Sequence, residues 1–423
     1  MKNYRKIKIG DVLDIKRGMS LAGEYYATEG KYIRLTLGNF NYPECGWKDN
    51  ITKENLYYSG PLRNEFLLKK GDIITPLTEQ VRGLLGNTAR IPKNNIYIQS
   101  GDIGLVIPDE TKINRNFAYY LISSSVVKRQ LDAGSQQTKI RHTCPEAIKD
   151  CVAFLPELSQ QQKIATILDF IENKIQSNIK INNNLEQQAM SLYDYYFIQF
   201  DFPNQENKPY RTSGGNLVWN NELKSNIPSN WSSISLSDII NILSGFAFSS
   251  DLYVEKGRYP LYTIKNVQDG GIVTSVDNYI NNLPPNLPDY CLLKSGDILT
   301  SLTGNVGRVG VVYENNALLN QRVAKLSPKY QDLYPFVLYT MKSKLIRKKI
   351  ETIAIGSSQA NISPLDIVSL KIPFKRDIAL LFSQKTQGIV YKCISNMKEN
   401  ASLINLRNFL LPMLMNGQAT IKE

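Results

Sequence analysis

Four short stretches hold the side chains best suited to contacting a ligand. Thr78, Gln80, Arg82, Asn87 and Arg90 follow the Gly71-Asp72 pair, and Thr303, Asn305 and Arg308 follow Gly296-Asp297. Gln136, Gln137, Lys139 and Arg141 come after Gly134, while Ser357, Ser358, Gln359 and Asn361 come after Gly356. Hydroxyl, amide and guanidinium groups interleaved in this way suit the base edges of double-stranded DNA. Arg matches guanine, Asn or Gln matches adenine, and flanking Lys and Arg hold phosphates. Any one of these residues also serves as an ordinary polar turn residue satisfying the backbone; the DNA reading applies to the set. The candidate contacts are Thr78, Gln80, Arg82, Arg90, Lys139, Arg141, Thr303, Asn305, Arg308, Arg322, Ser358 and Gln359.

Catalytic chemistry is not legible. His142 is the one histidine, which argues against a His-based triad or a His-rich metal site. There is no G-x-x-x-x-G-K-[ST] for ATP, no Asn-Pro-Pro-aromatic tetrapeptide, and no Gly-rich loop for S-adenosylmethionine. Pro108, Asp109, Glu110 and Lys112 crowd into one turn-like stretch and lack the spacing of a metal-dependent nuclease. The five cysteines (Cys45, Cys144, Cys151, Cys291 and Cys393) form no CxxC pair, so neither a zinc site nor a disulfide frame is expected. These residues read as a binding protein without its own active site, metal or cofactor.

The charge balance agrees with a polyanionic partner. Lys and Arg number 50 against 38 Asp and Glu, a net charge of +12, while the apolar and charged fractions, 42% and 21%, are ordinary for a globular protein. The opening MKNYRKIKIG has no apolar signal-like core, and no run approaches the ~18 apolar residues of a membrane span, so a cytoplasmic location is expected.

The elements that must position the polar stretches repeat. LLKKGDIITPLTEQVRGLLGNTARI at 67–91 returns as LLKSGDILTSLTGNVGRVGVVY at 292–313, with the Gly-Asp pair offset by 225 residues. A Gly-Asp turn running into a β-branched stretch predicts a strand entry. The helical pattern NFAYYLISSSVVKRQ returns as YPFVLYTMKSKLIRKK, and Gly134 returns as Gly356. Repetition at this distance means two copies of one domain.

A long helical stretch follows each copy. Steps of 4 and 3 pick out Ile164, Leu168, Ile171, Ile175, Asn178, Asn182, Leu185, Ala189, Leu192 and Tyr196. They also pick out Phe382, Thr386, Ile389, Cys393, Asn396, Asn400, Leu403, Arg407, Leu410 and Leu414. The two Asn pairs coincide at an offset of 218 residues. Such seams predict an antiparallel coiled coil with Asn178 against Asn400 and Asn182 against Asn396, in which buried Asn costs stability and fixes register. At ~1.5 Å per residue a helix of about 40 residues reaches ~60 Å, long enough to act as a spacer.

The expected fold class is α+β: two tandem copies of a domain of mixed strands and short helices, separated by two long helices that form an antiparallel coiled coil. The boundaries read as residues 1–155 (first domain), 156–200 (first long helix), 201–230 (linker), 231–373 (second domain) and 374–423 (second long helix and tail). Ser159 and Gln162 form an S-x-x-Q capping box that predicts the first helix start, and Asp201, Phe202 and Pro203 its stop. Seven Asn, three Pro and Gly214-Gly215 predict a surface loop across 201–230. The second helix is expected to begin near Lys375, to kink or break at Pro412, and to end near Asn416-Gly417.

The chain resembles the specificity subunit of type I restriction-modification systems. The resemblance rests on LLKSGDILTSLTGNVGRVG (292–310), IGSSQANISPLDIVSLKIP (355–373), LPELSQQQKIATILDFIENKI (155–175) and LLPMLMNGQATI (410–421). It covers nearly the whole chain. The first copy departs from the pattern, since residues 79–83 replace the simple T-G-x-x-G of the second. The resemblance implies a noncatalytic subunit that reads a bipartite DNA target, one half-site per domain. It also implies two methyltransferase subunits and restriction subunits docked on the helices, on surfaces that include Lys163, Gln187 and Tyr195. S-adenosylmethionine, ATP and magnesium would belong to those partners, and the assembly would be an adenine-specific methyltransferase and ATP-dependent endonuclease. The alternative is a self-standing, repressor-like DNA-binding protein with duplicated domains, which would bind DNA tightly unaided.

Overall fold

The Gly-Asp turns are built identically in the two copies. In the computed structural model, which describes residues 4–42, 45–50, 53–79, 81–134, 141–269, 271–354 and 360–421, Gly71 and Gly296 sit at φ of 86° and 96°. Side chains other than glycine rarely adopt that conformation. The N–H of Lys69 donates to the Asp72 carboxylate at 2.8 Å, as that of Lys294 does to Asp297. Asn94 and Asn315 accept from the next N–H, of Lys70 and Ser295, at 2.8 and 3.0 Å. Each turn thus delivers the chain into a buried strand, Ile73–Pro76 or Ile298–Ser301.

Two units emerge from the contacts: residues 1–174 with 403–423, and residues 175–402. The first is centred on an antiparallel sheet ordered Leu13–Arg17, Ile103–Pro108, Ile73–Pro76, Ala89–Arg90. The second repeats it as Ile240–Ser244, Val323–Pro328, Ile298–Ser301, Val309–Val311. In both, the first strand pairs with the last and the two middle strands pair with each other, so the order is a shared signature rather than a simple meander. A small sheet with one parallel pair accompanies each: Ile33–Arg34 beside Tyr97–Ile98, and Tyr259–Tyr262 beside Leu318–Leu319.

Helices α1 (Arg115–Ile122), α2 (Ser125–Gly134) and α3 (Pro145–Lys149) belong to the first unit. Asn114 caps α1 by accepting from the Phe117 N–H, and Phe117, Leu121, Val127 and Leu131 are buried in one cluster with Ile7, Ile164 and Leu168. The long helix α4 spans Leu158–Tyr193. In the second unit come α5 (Tyr334–Lys342), α6 (Lys344–Ile353) and α7 (Pro364–Ser369), and the long helix α8 spans Arg376–Met415. Ser343 caps α6 and Ser363 caps α7 through their hydroxyls.

Helices α4 and α8 pair antiparallel. Within the first unit Arg407 meets Glu172 at 3.0 Å, and Leu414 and Met415 join the cluster of Ile164 and Leu168. Within the second, Asn178 donates to Asn400 at 2.9 Å and Asn396 to Asn182 at 2.8 Å. Asn182 also donates to the Cys393 carbonyl, and Asn400 to that of Ile175. These amides are satisfied in a seam where Asn178 and Asn396 are each 1% exposed. Ile164, Leu168, Ile171, Ile175 and Cys393 are buried; Leu185, Leu192, Leu403 and Leu410 are half-buried. At Ile389 the burial shifts by one position to Val390, which packs in the second unit's core with Phe336 and Phe382.

Several boundaries differ from those the sequence predicts. Helix α4 opens at Leu158, with the Gln160 and Gln161 N–H groups both donating to the Glu157 carbonyl, so Ser159 lies inside the first turn instead of capping it. Gln162 accepts from Asn114 of the α1 cap. At its other end α4 widens into a π turn, Asp194–Ile198, and stops at Phe200, whose φ is 61° and whose ring packs 5.4 Å from that of Trp231. The 201–230 stretch is not a bare loop. It folds as a hairpin of Leu217–Asn220 with Ser225–Pro228, and buries Phe202 and Ile227 beneath a polar composition. Helix α8 continues three residues past Pro412. It ends in a Schellman motif, with Gln418 N–H on the Met413 carbonyl and Gly417 at φ 67°.

Candidate nucleic-acid interface

In each unit the two polar stretches meet at a shared mouth. Thr78–Glu79 pairs with Arg141–His142 (Glu79 opposite Arg141, Thr78 opposite His142), and the Thr143 N–H donates to the Leu77 carbonyl at 2.8 Å. The second unit makes the same closure: Thr303 bridges Asn361, and the Ile362 N–H donates to the Leu302 carbonyl at 3.0 Å. A third strand end completes each mouth, since Leu77 N–H donates to Asp102 and Leu302 N–H to Arg322. The loops named from sequence are therefore neighbours in space, pinned at their bases by equivalent backbone bonds.

The loop interiors are wired differently. In the first unit Glu79, 2% exposed, turns its carboxylate inward to accept from the Gly83 and Leu85 N–H groups, both at 3.0 Å. In the second, the Ser301 hydroxyl donates to the Asn305 carbonyl and accepts from the Arg308 N–H, around Gly304 and Gly307 at φ 74° and 72°. Both loops turn on two left-handed glycines, Gly83 and Gly86 in the first, but one is tied by a buried acid and the other by a serine.

Among the candidate contacts, Asn305 and Arg322 are exposed. Arg322 and Gln321 line an open groove of about 360 Å³ with Thr263, Lys265 and Asn278. Arg82 is exposed but forms a two-bond ion pair with Asp132, at 2.7 and 3.2 Å, whose hydrogen bond and charge raise its pKa. Arg308 is half-buried and donates to Gln268 at 2.6 Å. Thr78 and Thr303 are 6% and 9% exposed, so their hydroxyls stand at the mouth rather than on an open surface. Gln80, Lys139, Ser358 and Gln359 lie outside the described residues, as does the side chain of Arg141.

Arg90 has an internal role. Its guanidinium meets Asp169 of α4 at 2.8 Å and lies over the Tyr119 ring at 4.2 Å, while the Tyr120 hydroxyl donates to the same carboxylate at 2.7 Å. Burial, then the nearby Asp169 charge, pushes the Tyr120 phenol up, so it stays a donor. This network ties α1 and the sheet edge to α4. Local sequence could not reveal it, because Asp169 lies 79 residues from Arg90.

Arg17 is a mouth residue that the motifs did not single out; it donates to the Thr143 carbonyl at 3.3 Å. The signal for it was the Gly18-to-Gly245 match, since each glycine approaches the strand-entry backbone too closely for a side chain. Of the positions expected to face partners, Gln187 is exposed and Lys163 and Tyr195 are half-buried. Among the described residues no cluster of His, Cys, Asp and Glu is placed to hold a metal, and no helix is long and apolar enough to cross a membrane.

Comparison with known proteins follows the same division. A family model described as "Type I restriction modification DNA specificity domain" matches residues 1–187 and 228–375. The chain is 26% identical to the type I restriction enzyme MjaIX specificity subunit of Methanocaldococcus jannaschii, covering 100% of this chain and 94% of that one. It is 22% identical to the HindI specificity subunit of Haemophilus influenzae, covering 83% and 87%. Its fold is similar to the crystal structure of a type I restriction-modification S subunit from M. genitalium, with a TM-score of 0.56, 18% identity and coverage of 98% and 96%.

Proposed function

From the premise that this chain belongs to the type I restriction-modification DNA specificity family, we propose that its two loop mouths read the two halves of a bipartite DNA target. The chain is the DNA sequence-recognition subunit of such a system. The observation that carries the finer reading is the pair of mouths, closed by equivalent backbone bonds yet lined by different residues. A shared scaffold fixes how each loop meets the groove, and the lining sets which bases are accepted. The net charge of +12 supports a binding energy dominated by phosphate contacts, and hence a steep salt dependence.

Catalysis is supplied by partners in this reading. Two methyltransferase subunits dock on the long helices and bring S-adenosylmethionine; restriction subunits bring ATP and magnesium. The complex methylates adenine and cleaves unmodified DNA, whereas this chain selects the site from the cytoplasm.

Exchanging residues 1 to about 150 for the matching domain of a relative tests the division of labour. Methylated positions are mapped in DNA from cells carrying the hybrid with its methyltransferase subunits. One segment of the recognised sequence changes and the other stays; a change in both segments refutes the reading. Tight, sequence-specific binding by the isolated chain, with no stable methyltransferase complex, would favour a self-standing DNA-binding protein instead.

A further inference from the structure

Because the two mouths hang from the same backbone bonds, residues at matched positions can be compared directly. The Leu77 N–H donates to the Asp102 carbonyl at 2.8 Å, and the Leu302 N–H to the Arg322 carbonyl at 3.0 Å. The next residues, Ile103 and Val323, each open a central strand of the four-stranded sheet. Asp102 and Arg322 thus occupy one scaffold position with opposite charge. Both are exposed, and neither forms an ion pair among the described residues.

The neighbouring strand end changes too. Arg17, at the end of Leu13–Arg17, reaches the mouth through the Thr143 carbonyl. The matching end of Ile240–Ser244 is Ser244, whose carbonyl accepts from the Tyr290 hydroxyl. The first mouth therefore has Arg17 at the sheet edge and an acid at the turn; the second has a serine at the edge and the exposed Arg322 at the turn.

We propose that Asp102 and Arg322 are specificity-determining residues of opposite sense. A carboxylate facing phosphates is repelled, so an exposed Asp beside a DNA-reading loop contacts DNA favourably where it meets an amino group in the groove. Asp102 accepts from cytosine N4 in the first half-site. Arg322 donates to guanine O6 and N7 in the second. The assignment rests on the reading that each mouth engages its own half-site.

The test uses the full chain assembled with its methyltransferase subunits, and duplexes varied one base pair at a time across both halves. Asp102→Ala lowers the preference at one position of the first half-site by on the order of 10- to 100-fold and leaves the second half untouched; Asp102→Asn restores part of it. Arg322→Gln does the reverse. Unchanged preferences overturn the proposal, as does uniform weakening on all sequences with a shallower salt dependence, which marks a phosphate contact. An unaltered complex with no bipartite preference would instead sink the half-site reading beneath it.

Discussion

Asn178 donates its side-chain amide to Asn400 across the α4–α8 seam at 2.9 Å, and the same nitrogen reaches Glu399 at 2.8 Å. Replacing one partner strands a buried polar group at a cost of about 1–3 kcal/mol. Asn178→Leu and Asn400→Leu are each expected to lose that much. The double variant recovers part of it, because two leucines fill the seam while register discrimination falls. Denaturant midpoints of the four proteins measure the coupling, and strictly additive losses would refute it.

The inward carboxylate of Glu79 holds the first loop through the Gly83 and Leu85 N–H groups. Glu79→Ala leaves those donors without it, lowers stability by about 1–3 kcal/mol, and weakens recognition of the first half-site alone. Glu79→Gln keeps one acceptor and is milder. Thermal melts together with half-site binding separate the two effects, and an equal loss at both half-sites would contradict the local role.

Arg90→Ala is expected to destabilise the first unit by about 1–3 kcal/mol, less than for a fully buried pair because Arg90 and Asp169 keep 28% and 17% side-chain exposure. Base preference and the slope of affinity against salt stay as in the unaltered protein. A slope reduced by about one would show that Arg90 meets a phosphate after all.

Alkaline pH should loosen the second unit. Burial pushes the Cys393 thiol up to about 11 and the Tyr193 phenol up to about 12. The folded state holds these protons more tightly than the unfolded state. Their contribution is complete below the ordinary thiol and phenol values and is lost as pH climbs toward the raised ones. The denaturant midpoint falls between pH 8 and pH 11, and Cys393→Ala flattens the earlier part of that fall; a flat profile in the unaltered protein would rule this out.

Much of the fold could be read from spacing. The 4-and-3 pattern specified which helix faces meet, and the paired Asn residues specified their register, because coiled-coil geometry depends on residue intervals alone. The Gly-Asp turn and the Gly417 terminus were legible for a similar reason: a left-handed backbone needs glycine. Features requiring a distant partner were not legible. The Arg90–Asp169 pair, the burial of Glu79 and the inward side of the 201–230 hairpin all depend on chain segments that meet only in three dimensions. Polar composition around Phe202 and Ile227 suggested a loop, yet two or three apolar side chains suffice to pin a short hairpin against the core.

Leu414 and Met415 lie in the same buried cluster as Ile7 and Ile164, and that places a constraint on how the chain is made. The first unit's interior has to wait for roughly 230 further residues to be synthesised before Leu403–Glu423 can join it. At about 5–20 residues per second the delay is on the order of 10 to 50 seconds. The second unit, by contrast, is contiguous and needs no segment from outside residues 175–402. Throughout that interval the earlier one keeps exposed the apolar surface that Leu414 and Met415 later cover.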